Sequence, residues 1–408
     1  MKIGILLREL DVSGGTQRLA LCLAKALMDA GEDVRVYGVR VDCSRCHPEL
    51  SEKVSPIDLG KRLPEVARRS GMWRILERFL GTSPDFLQNR LIAEMLPDDL
   101  DVLNVHEHVV YGAGACWKAR TGKPVVWSMN DVPGEFFRLW DPLHPWRKLD
   151  RVLNGKDREC RRWRRFAEAF DEIHVLSRME GEKLRRETGL SYRVVIPGLD
   201  VDAFPFLPRK APADGVLRLF SNAILYPHRR LEDIVAALAL LKRKGIPFRW
   251  EHAGSMGRAP EYAMRIRRMV EEDGVSGETD FLGPVPEPDL VRRYQEADVF
   301  LFPNAPQSWG LAPFEAMACG TPVVVSRGAG ASEVLTHRRN AILVDPYAPS
   351  QIADAVEDLR RDGGLWEALH REGRRFVEEN IRWDLFARRV SEAFSRLACG
   401  EAPRGADR

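Results

Sequence analysis

The sequence lacks any run of about eighteen consecutive apolar residues, the length that a membrane-spanning helix requires. Its first residues lead directly into a strand-like pattern, without the charged and apolar regions of a signal peptide. Together these two absences predict a cytoplasmic protein. Apolar residues make up 44% of the chain and charged residues 30%, which is typical of a soluble globular protein.

The net charge is also small, and cysteines are few. A formal net charge of +2 argues against nucleic acid as the main partner. Seven cysteines in 408 residues are too few and too scattered for a disulfide scaffold. Cys43 and Cys46, with His47 beside them, could indicate a metal or redox site, but one Cys-x-x-Cys without a second ligand pair favours a structural role. We therefore predict neither a metal site nor a cofactor.

Strand-like and helix-like patterns alternate along the chain. Lys2–Leu7 predicts a buried strand, the apolar spacing from Leu19 to Leu27 predicts a helix, and Asp33–Val39 predicts a second strand. Further strands are predicted at 102–105, 124–128, 172–176, 193–196, 217–220, 248–253, 281–282, 298–302, 323–325 and 341–344. Helices are predicted at 113–120, 147–169, 231–244, 260–272 and 288–297, and from 178 and 349 onward. Such alternation is typical of α/β proteins with parallel sheets covered on both faces.

The alternation is interrupted near the middle of the chain. Pro197–Asp202, followed by prolines at 205, 208 and 212, predicts a connection between two domains. We predict one domain at residues 1–197, a second at 198–380, a helix at 381–400 that crosses back to the first, and a disordered tail at 401–408. Ligands of two doubly wound domains are expected in the cleft between the carboxyl edges of their sheets.

The most informative stretch is Pro303–Pro322. It lies between two predicted strands and contains a short helix that begins near Gly310 or Leu311 and ends before Gly320. Glu315 therefore falls within about a turn of a helix N-terminus, beyond the carboxyl end of a strand. A carboxylate there can accept hydrogen bonds from both hydroxyls of a ribose. The alternative is a surface residue that supports the helix start.

Each predicted domain has one further candidate segment, which follows its first strand. Arg229 and Arg230 precede a helix in the second domain, where guanidinium groups match the geometry of phosphate oxygens. The alternative is a solvated basic helix start, which is unfavourable next to the helix dipole. Gly14 and Gly15 follow the first strand without a GxGxxG pattern. Such a glycine pair lets the backbone approach a ligand and present N–H groups to phosphate, although many such pairs are simple turns.

These motifs resemble those of GT-B glycosyltransferases, in particular family 4, a group of retaining enzymes that use nucleotide sugars. The resemblance covers nearly the whole chain. It rests most strongly on Trp309–Leu311 and Glu315–Val324, and more weakly on Gly14–Gly15, Val195–Asp200 and the basic pair at 229–230. It implies two Rossmann-like doubly wound parallel-sheet domains that face each other across a cleft.

The resemblance also implies roles for individual residues. In the family two Glu residues flank the glycine-containing turn, the first associated with the transferred sugar and the second with the nucleotide ribose. Glu315 has the second position and Gln307 the first. An amide can hydrogen-bond a sugar hydroxyl but carries no negative charge beside a developing oxocarbenium ion. Arg229 falls where the family has a diphosphate-neutralising Lys, whereas Ile224 occupies the usual Arg position.

The predicted sites follow from these assignments. The predicted catalytic residues are Arg229, Gln307 and Glu315. The predicted donor-binding residues are Gly14, Gly15, Arg229, Arg230, Trp309, Gly310, Leu311 and Glu315. In resembling enzymes the glycine loop closes over the donor diphosphate and borders the acceptor.

Polar residues that follow two further strands are predicted to contact the acceptor or the sugar. His106 and His108 come after one strand, and Asn130 and Asp131 after the next. Alternate residues share a face only while a strand persists, and no further ligand accompanies the His-x-His pair. A metal site is therefore the weaker interpretation.

The sequence predicts a metal-independent retaining glycosyltransferase that moves a sugar from a nucleoside diphosphate sugar to the hydroxyl of a sugar, lipid-linked or small-molecule acceptor. The alternatives are an epimerase or phosphorylase of the same fold, and a non-catalytic sugar-nucleotide-binding subunit that lost activity at Gln307. Arg-rich segments at 61–80 and 146–166 leave two interpretations open, peripheral contact with the inner membrane face or solvated helix faces.

Overall fold

The computed structural model describes residues 1–62, 84–107, 110–130, 166–212 and 215–401. The chain forms two compact units, the first made of Met1–Pro197 and Trp383–Arg408 and the second of Gly198–Arg382. Each unit contains one parallel sheet with helices. The predicted α/β class, with two doubly wound parallel sheets, is confirmed.

Seven strands form the sheet of the first unit, in the order β3-β2-β1-β4-β5-β6-β7. They are β1 (Lys2–Leu10), β2 (Asp33–Val41), β3 (Ile57–Asp58), β4 (Val102–His106), β5 (Val125–Met129), β6 (Glu172–Val175) and β7 (Arg193–Val194). Ile3 and Ile5 of β1 belong to one core cluster and Leu6 to another, so both sheet faces are covered. Because strand order reverses between the neighbours β1 and β4, ligands are expected at their carboxyl ends.

The helices described in the first unit are α1 (Gly15–Asp29), α2 (Pro48–Val54), α3 (Pro84–Met95), α4 (Tyr111–Thr121), α5 (Arg178–Thr188) and the terminal helix α12 (Trp383–Ala398). The apolar face of α12 packs against α1, with Val390 and Phe394 in the same core cluster as Leu23. The Ser391 hydroxyl donates to Glu32 Oε1 at 2.9 Å. Apolar burial thus joins the C-terminal helix to the first unit.

The second unit has six parallel strands in the order β10-β9-β8-β11-β12-β13. They are β8 (Leu217–Asn222), β9 (Phe248–Ala253), β10 (Thr279–Gly283), β11 (Val299–Phe302), β12 (Val323–Ser326) and β13 (Ile342–Val344). Its helices are α6 (Leu231–Arg243), α7 (Pro260–Glu272), α8 (Glu287–Glu296), α9 (Ala312–Cys319), α10 (Pro349–Arg361) and α11 (Gly363–Asn380). Here the strand order reverses between β8 and β11.

Most predicted strands and helices are confirmed with small differences at their ends. Three elements of the first unit were not predicted, at Pro48–Val54, Ile57–Asp58 and Pro84–Met95, and two of these are too short to show a periodic pattern. Most of the basic helix predicted at 147–169 and of both Arg-rich segments lies outside the described residues, as do residues 402–408. Within the described ranges, no helix is both long and apolar enough to cross a membrane.

Candidate functional site

In the second unit, two segments meet at the carboxyl ends of β8 and β11. A 3-10 turn, Pro227–Arg229, follows β8, and the loop that begins at Pro303 follows β11. The Ala305 N–H donates to the His228 carbonyl oxygen at 2.9 Å, which fixes the loop to the turn. Residues far apart in sequence are thereby brought together at the edge where doubly wound sheets bind ligands.

Arg229 is held by two side-chain amides from this loop. Its Nη1 donates to Gln307 Oε1 at 2.5 Å. The Asn304 amide, in the orientation that satisfies both of its groups, accepts from Arg229 Nη1 at 2.9 Å and donates to the Arg229 carbonyl oxygen at 3.2 Å. Because both amides are neutral, these contacts orient the guanidinium without neutralising its charge. The structure thus joins two of the three predicted catalytic residues.

The neighbouring His228 adds no positive charge at neutral pH. Burial, together with the charge of Arg229, lowers the pKa of His228 to about 4. The imidazole is therefore neutral, and its ring stacks on Tyr226 with centroids 5.7 Å apart.

Arg230 differs from Arg229 because it is engaged locally. Its guanidinium pairs with Glu232 and Asp233 at 2.7 Å each and lies 4.5 Å from the ring centroid of Tyr347. It adopts φ 55° and directly precedes α6. The first turn of α6 therefore carries acidic residues that satisfy Arg230 and suit the helix dipole. These contacts weigh against the prediction that Arg230 binds the donor phosphates.

The segment from Gln307 to Leu311 is anchored through its backbone. The Gln307 N–H donates to the Gly328 carbonyl at 3.1 Å, and the Gly330 N–H donates to the Gln307 carbonyl at 2.9 Å. Gly310 adopts φ 115°, and a Cβ placed there would lie 2.6 Å from the Phe302 ring. Glycine is therefore required at this turn for both conformation and space.

Trp309, a predicted donor contact, has its side chain in the core instead. It is 3% exposed and stacks on Phe314 with centroids 5.3 Å apart. The indole thus supports the start of α9, and the Trp309 carbonyl oxygen accepts from the Ala331 N–H at 3.3 Å. Leu311 is partly buried and immediately precedes α9 as its N-cap.

Glu315 lies in the first turn of α9, as the sequence predicted, and the helix ends at Gly320 with φ 92°. The alternative of a surface residue is wrong because the side chain is only 6% exposed. The Tyr294 hydroxyl donates to Glu315 Oε2 at 2.9 Å and accepts from Asn222 Nδ2 at 3.1 Å. This chain of hydrogen bonds fixes the carboxylate beside the helix N-terminus.

The residues that support this site were not predicted from the sequence. Tyr294 and Asn222 orient Glu315, and Asn304 orients Arg229. Asn304 alone gave a usable signal, because it lies in the informative stretch itself. Tyr294 comes from α8 and reaches Glu315 only through folding.

In the first unit, Gly14 and Gly15 lie at the start of α1, just beyond β1. Gly14 is the N-cap, and a Cβ there would lie 2.5 Å from Gln17 Oε1. A Cβ at Gly15 would meet no atom within 4 Å among the described residues outside its own helix backbone. A local contact therefore favours glycine at position 14, whereas the surroundings of position 15 are open.

The four predicted acceptor contacts have different outcomes. His106 lies inside the first unit, where the side chain is 0% exposed and its Nε2 lies 2.7 Å from Asn104 Oδ1. Burial lowers the pKa of His106 to about 3, which keeps the ring neutral. Asn130 follows β5, and both polar atoms of its amide are buried without a hydrogen-bond partner among the described residues. His108 and Asp131 lie outside the described part of the chain.

Glu107, which was not predicted as a site residue, follows β4 directly. It has φ 70°, a left-handed conformation that is unusual for a residue with a side chain. Its carboxylate accepts from the Arg8 backbone N–H and from Gln17 Nε2, both at 2.9 Å. Burial raises the pKa of Glu107 to about 7.

The Cys-x-x-Cys segment contains two thiols with different exposure. Cys43 is exposed and Cys46 buried, and both are free thiols. Burial raises the pKa of Cys46 to about 11, so the thiol stays protonated at neutral pH. Across the described ranges, no group of three or more His, Cys, Asp or Glu side chains could hold a metal ion.

Comparison with known proteins agrees with this arrangement. Residues 13–203 match the family Glycosyltransferase Family 4, and residues 208–376 match Glycosyl transferases group 1. Among solved structures, Anabaena HepE in complex with UDP and glucose is similar with a TM-score of 0.70 and 17% identity, covering 97% of this chain and 99% of HepE. Sucrose-phosphate synthase from Thermosynechococcus elongatus is similar with a TM-score of 0.71 and 18% identity, covering 98% of this chain and 100% of the synthase.

Sequence relatives extend along nearly the entire chain. The D-inositol 3-phosphate glycosyltransferase of Paenarthrobacter aurescens is 35% identical over 413 residues, covering 95% of this chain and 94% of the relative. The protein of the same name from Jonesia denitrificans is 28% identical, covering 94% of this chain and 91% of the relative. With the GT-B fold, these matches show that the chain belongs to glycosyltransferase family 4.

Proposed function

We propose that the protein is a retaining glycosyltransferase that takes its sugar from a nucleoside diphosphate sugar. Glu315 accepts hydrogen bonds from the ribose, Arg229 neutralises the diphosphate, and Gln307 recognises the transferred sugar. Gly14 and Gly15 present backbone N–H groups to the donor. The hydrogen bond from Arg229 to Gln307 is the observation that carries the proposal, because it joins the two predicted phosphate and sugar contacts.

The proposed reaction needs no covalent intermediate with the protein. The bond between the anomeric carbon and the diphosphate oxygen breaks, and the acceptor oxygen bonds to the same face of that carbon. The acceptor proton passes to the departing phosphate oxygen. Charge that develops on the diphosphate is stabilised by Arg229, whose guanidinium is already oriented by Asn304 and Gln307.

The neutral side chain of Gln307 bears on this stabilisation. A carboxylate at that position would pair with Arg229 and compete with the diphosphate for its charge. The amide holds the guanidinium at 2.5 Å without supplying a counter-charge. We propose that the amide orients Arg229 toward the diphosphate, while it can still hydrogen-bond a sugar hydroxyl.

The acceptor is proposed to be a small phosphorylated polyol. The support comes from relatives named D-inositol 3-phosphate glycosyltransferase, which match almost all of the chain. In the first unit Asn130 remains the proposed contact, because the residue is partly exposed and directly follows β5.

The proposal is tested by incubating the protein with a panel of nucleoside diphosphate sugars and inositol phosphates. Product formation is followed by mass spectrometry, and NMR of the product gives the anomeric configuration. We expect one donor to raise the melting temperature and to be consumed only when an acceptor is present. The anomeric configuration of the donor should be retained.

Variants separate catalysis from folding in this test. Glu315→Ala should lose at least about 100-fold in turnover, since it removes the proposed ribose contact. Glu271→Ala, which removes an exposed carboxylate on α7, is the matched control and should behave as the unmodified protein. Equal turnover in both variants, or inversion at the anomeric carbon, would overturn the proposal. Donor binding without transfer, restored by Gln307→Glu, would instead indicate a non-catalytic binding subunit.

A further inference from the structure

Glu107 occupies a strained position at the carboxyl end of the first sheet. Its φ of 70° is a left-handed conformation. For a residue with a side chain, this conformation is less stable than ordinary backbone geometry. Among the described non-glycine residues with positive φ, Glu107 alone follows a strand directly. Strain of this kind persists only where surrounding contacts determine it, and it is concentrated at functional sites.

Hydrogen bonds to neighbouring elements hold the Glu107 side chain. The pairing of β1 with β4 stops at Leu6 and Val105, while β1 continues to Leu10. Beyond Leu6, β1 has no backbone partner in β4. There the Glu107 carboxylate accepts a hydrogen bond from the Arg8 backbone N–H at 2.9 Å. The carboxylate is therefore fixed to the part of β1 that leads into the glycine loop.

The second carboxylate oxygen links Glu107 to the glycine loop through Gln17. Gln17 Nε2 donates to Glu107 Oε1 at 2.9 Å and to the Glu9 carbonyl at 3.1 Å, and the side chain is 7% exposed. Its Oε1 lies only 2.5 Å from the position that a Cβ at Gly14 would occupy. The Gln17 amide thus packs directly on Gly14.

The opposite side of the same loop is held as well. His47 Nε2 lies 3.1 Å from the Gly14 carbonyl oxygen, and the Ser13 hydroxyl accepts from the His47 N–H at 3.0 Å. With one side fixed by these contacts, the Glu107 and Gln17 pair determines the position of the other side.

We infer that Glu107 is a positioning residue for the transfer reaction, acting through Gln17 to hold Gly14 and Gly15 in their reactive conformation. This inference rests on the proposed function, in which the glycine loop contacts the donor. The pair differs from a simple structural contact because the carboxylate must accept two N–H groups at once. In the ionised carboxylate both oxygens are free to accept an N–H. In the protonated form one of the two oxygens carries the proton and acts as a donor.

The charged and titratable groups around Glu107 make this dependence measurable. Arg8 and Glu9 of β1 act on the carboxyl in opposite directions, and the Cys46 thiol lies within electrostatic reach from the neighbouring segment. Burial has the largest effect and raises the pKa of Glu107 to about 7, so the carboxyl titrates within the range of an ordinary assay. The thiol of Cys46 does not titrate there, because its pKa is about 11.

The test compares Glu107→Gln, Gln17→Ala and the double variant in the transfer assay between about pH 5.5 and 8.5. Each single variant should lower kcat/KM about tenfold at about pH 8, and the double variant should lose no more than the larger single loss. The fall of kcat/KM below about pH 7 in the unmodified protein should be absent from Glu107→Gln. Affinity for nucleoside diphosphate, proposed to depend on the second unit, should change less than about twofold in calorimetry.

Glu52→Gln is the matched control, because it removes an exposed carboxylate of α2 and should keep both the rate and the pH profile. Should the double variant fail to fold, Gln17→Asn replaces it, since the shorter amide no longer reaches Glu107. That variant should lose the same pH dependence.

Several outcomes would overturn the inference. One is an unchanged rate and pH profile in Glu107→Gln, and another is multiplication of the two single losses in the double variant. A loss that follows only the folded fraction, measured by circular dichroism, would show a structural role alone. Absence of any transfer by the unmodified protein would instead contradict the proposed function, so the two failures are distinguishable.

Discussion

The carboxyl edges of the two sheets are built in different ways. In the second unit, the candidate residues come from one turn at 227–229 and one continuous segment at 303–320. In the first unit, the corresponding edge combines three separate parts of the chain. These are the start of α1 with Gly14 and Gln17, Glu107 after β4, and Asn130 after β5. A continuous segment leaves a motif that can be read from the sequence, whereas dispersed contacts leave none.

The comparison also separates two ways of holding a charged group. Arg229 is oriented by neutral amides and stays positively charged, so its contribution should change little with pH. Glu107 is held by N–H donors in a partly buried position and titrates near neutrality. The second unit should therefore supply a constant charge and the first unit a pH-dependent one.

The largest expected effect tests the charge of the second unit. Arg229→Ala should lower kcat at least about 100-fold, since removal of one preorganised charge from a developing anion costs about 3 kcal/mol. Arg229→Lys should recover part of the rate, because it restores the charge without the planar fork. Steady-state kinetics with saturating donor measures both.

Arg230→Ala is the control for Arg229→Ala. Its local ion pairs predict a lower melting temperature with less than about a threefold change in kcat. If Arg230→Ala were the more damaging variant for turnover, our assignment of the phosphate contact would be reversed.

Gly310→Ala should destabilise the protein by about 2 kcal/mol, because alanine is strained at φ 115° and its Cβ would press on Phe302. Gly15→Ala in the first unit is the counterpart, with open surroundings and ordinary backbone conformation, and should be neutral or slightly stabilising. Urea unfolding gives both free energies. Equal destabilisation would remove the contrast between the two glycine turns.

Tyr294→Phe should weaken nucleoside diphosphate binding about tenfold, or about 1.4 kcal/mol, since Glu315 loses the hydroxyl that orients it. Tyr192→Phe is matched to it, because this buried tyrosine also donates to a carboxylate, that of Glu182, in the first unit. Both variants should lose stability, but only Tyr294→Phe should lose affinity in calorimetry. Equal affinities would show that Glu315 needs no such support.

The smallest expected effect concerns pH and stability in the first unit. The pKa of Glu107 is raised to about 7 from an ordinary value of 4.5, so the folded state retains a proton that the unfolded state has lost. The resulting stability is fully present below pH 4.5 and is lost as pH rises through 7. Relative to the unmodified protein, Glu107→Gln should therefore gain on the order of 1 kcal/mol for each pH unit between about pH 5 and pH 7.

Thermal unfolding at several pH values measures this gain. Arg229→Ala serves as the reference, because its difference from the unmodified protein should not follow the titration of Glu107. A stability difference for Glu107→Gln that is constant with pH would contradict the raised pKa.

Parts of each site could be predicted from sequence for identifiable reasons. The helix start before Glu315 and its end at Gly320 follow from local rules, and both were predicted correctly. The burial of His106 could not be predicted, because the sequence does not show whether a polar residue at a strand end is exposed or contacts a neighbour such as Asn104. The role of Glu107 was not predicted, because no local rule indicates its left-handed backbone conformation.

The sequence by itself determined the alternation of strands and helices, the break near Pro197 and the motif that ends in Gly320. These features depend on short-range periodicity, capping and turn chemistry, which neighbouring residues settle. Tertiary structure alone decided that Arg229 is oriented by Asn304 and Gln307, that Tyr294 supports Glu315, and that Glu107 reaches Gln17. Such contacts depend on which strands become neighbours at a sheet edge, and long-range packing rather than local pattern fixes that choice.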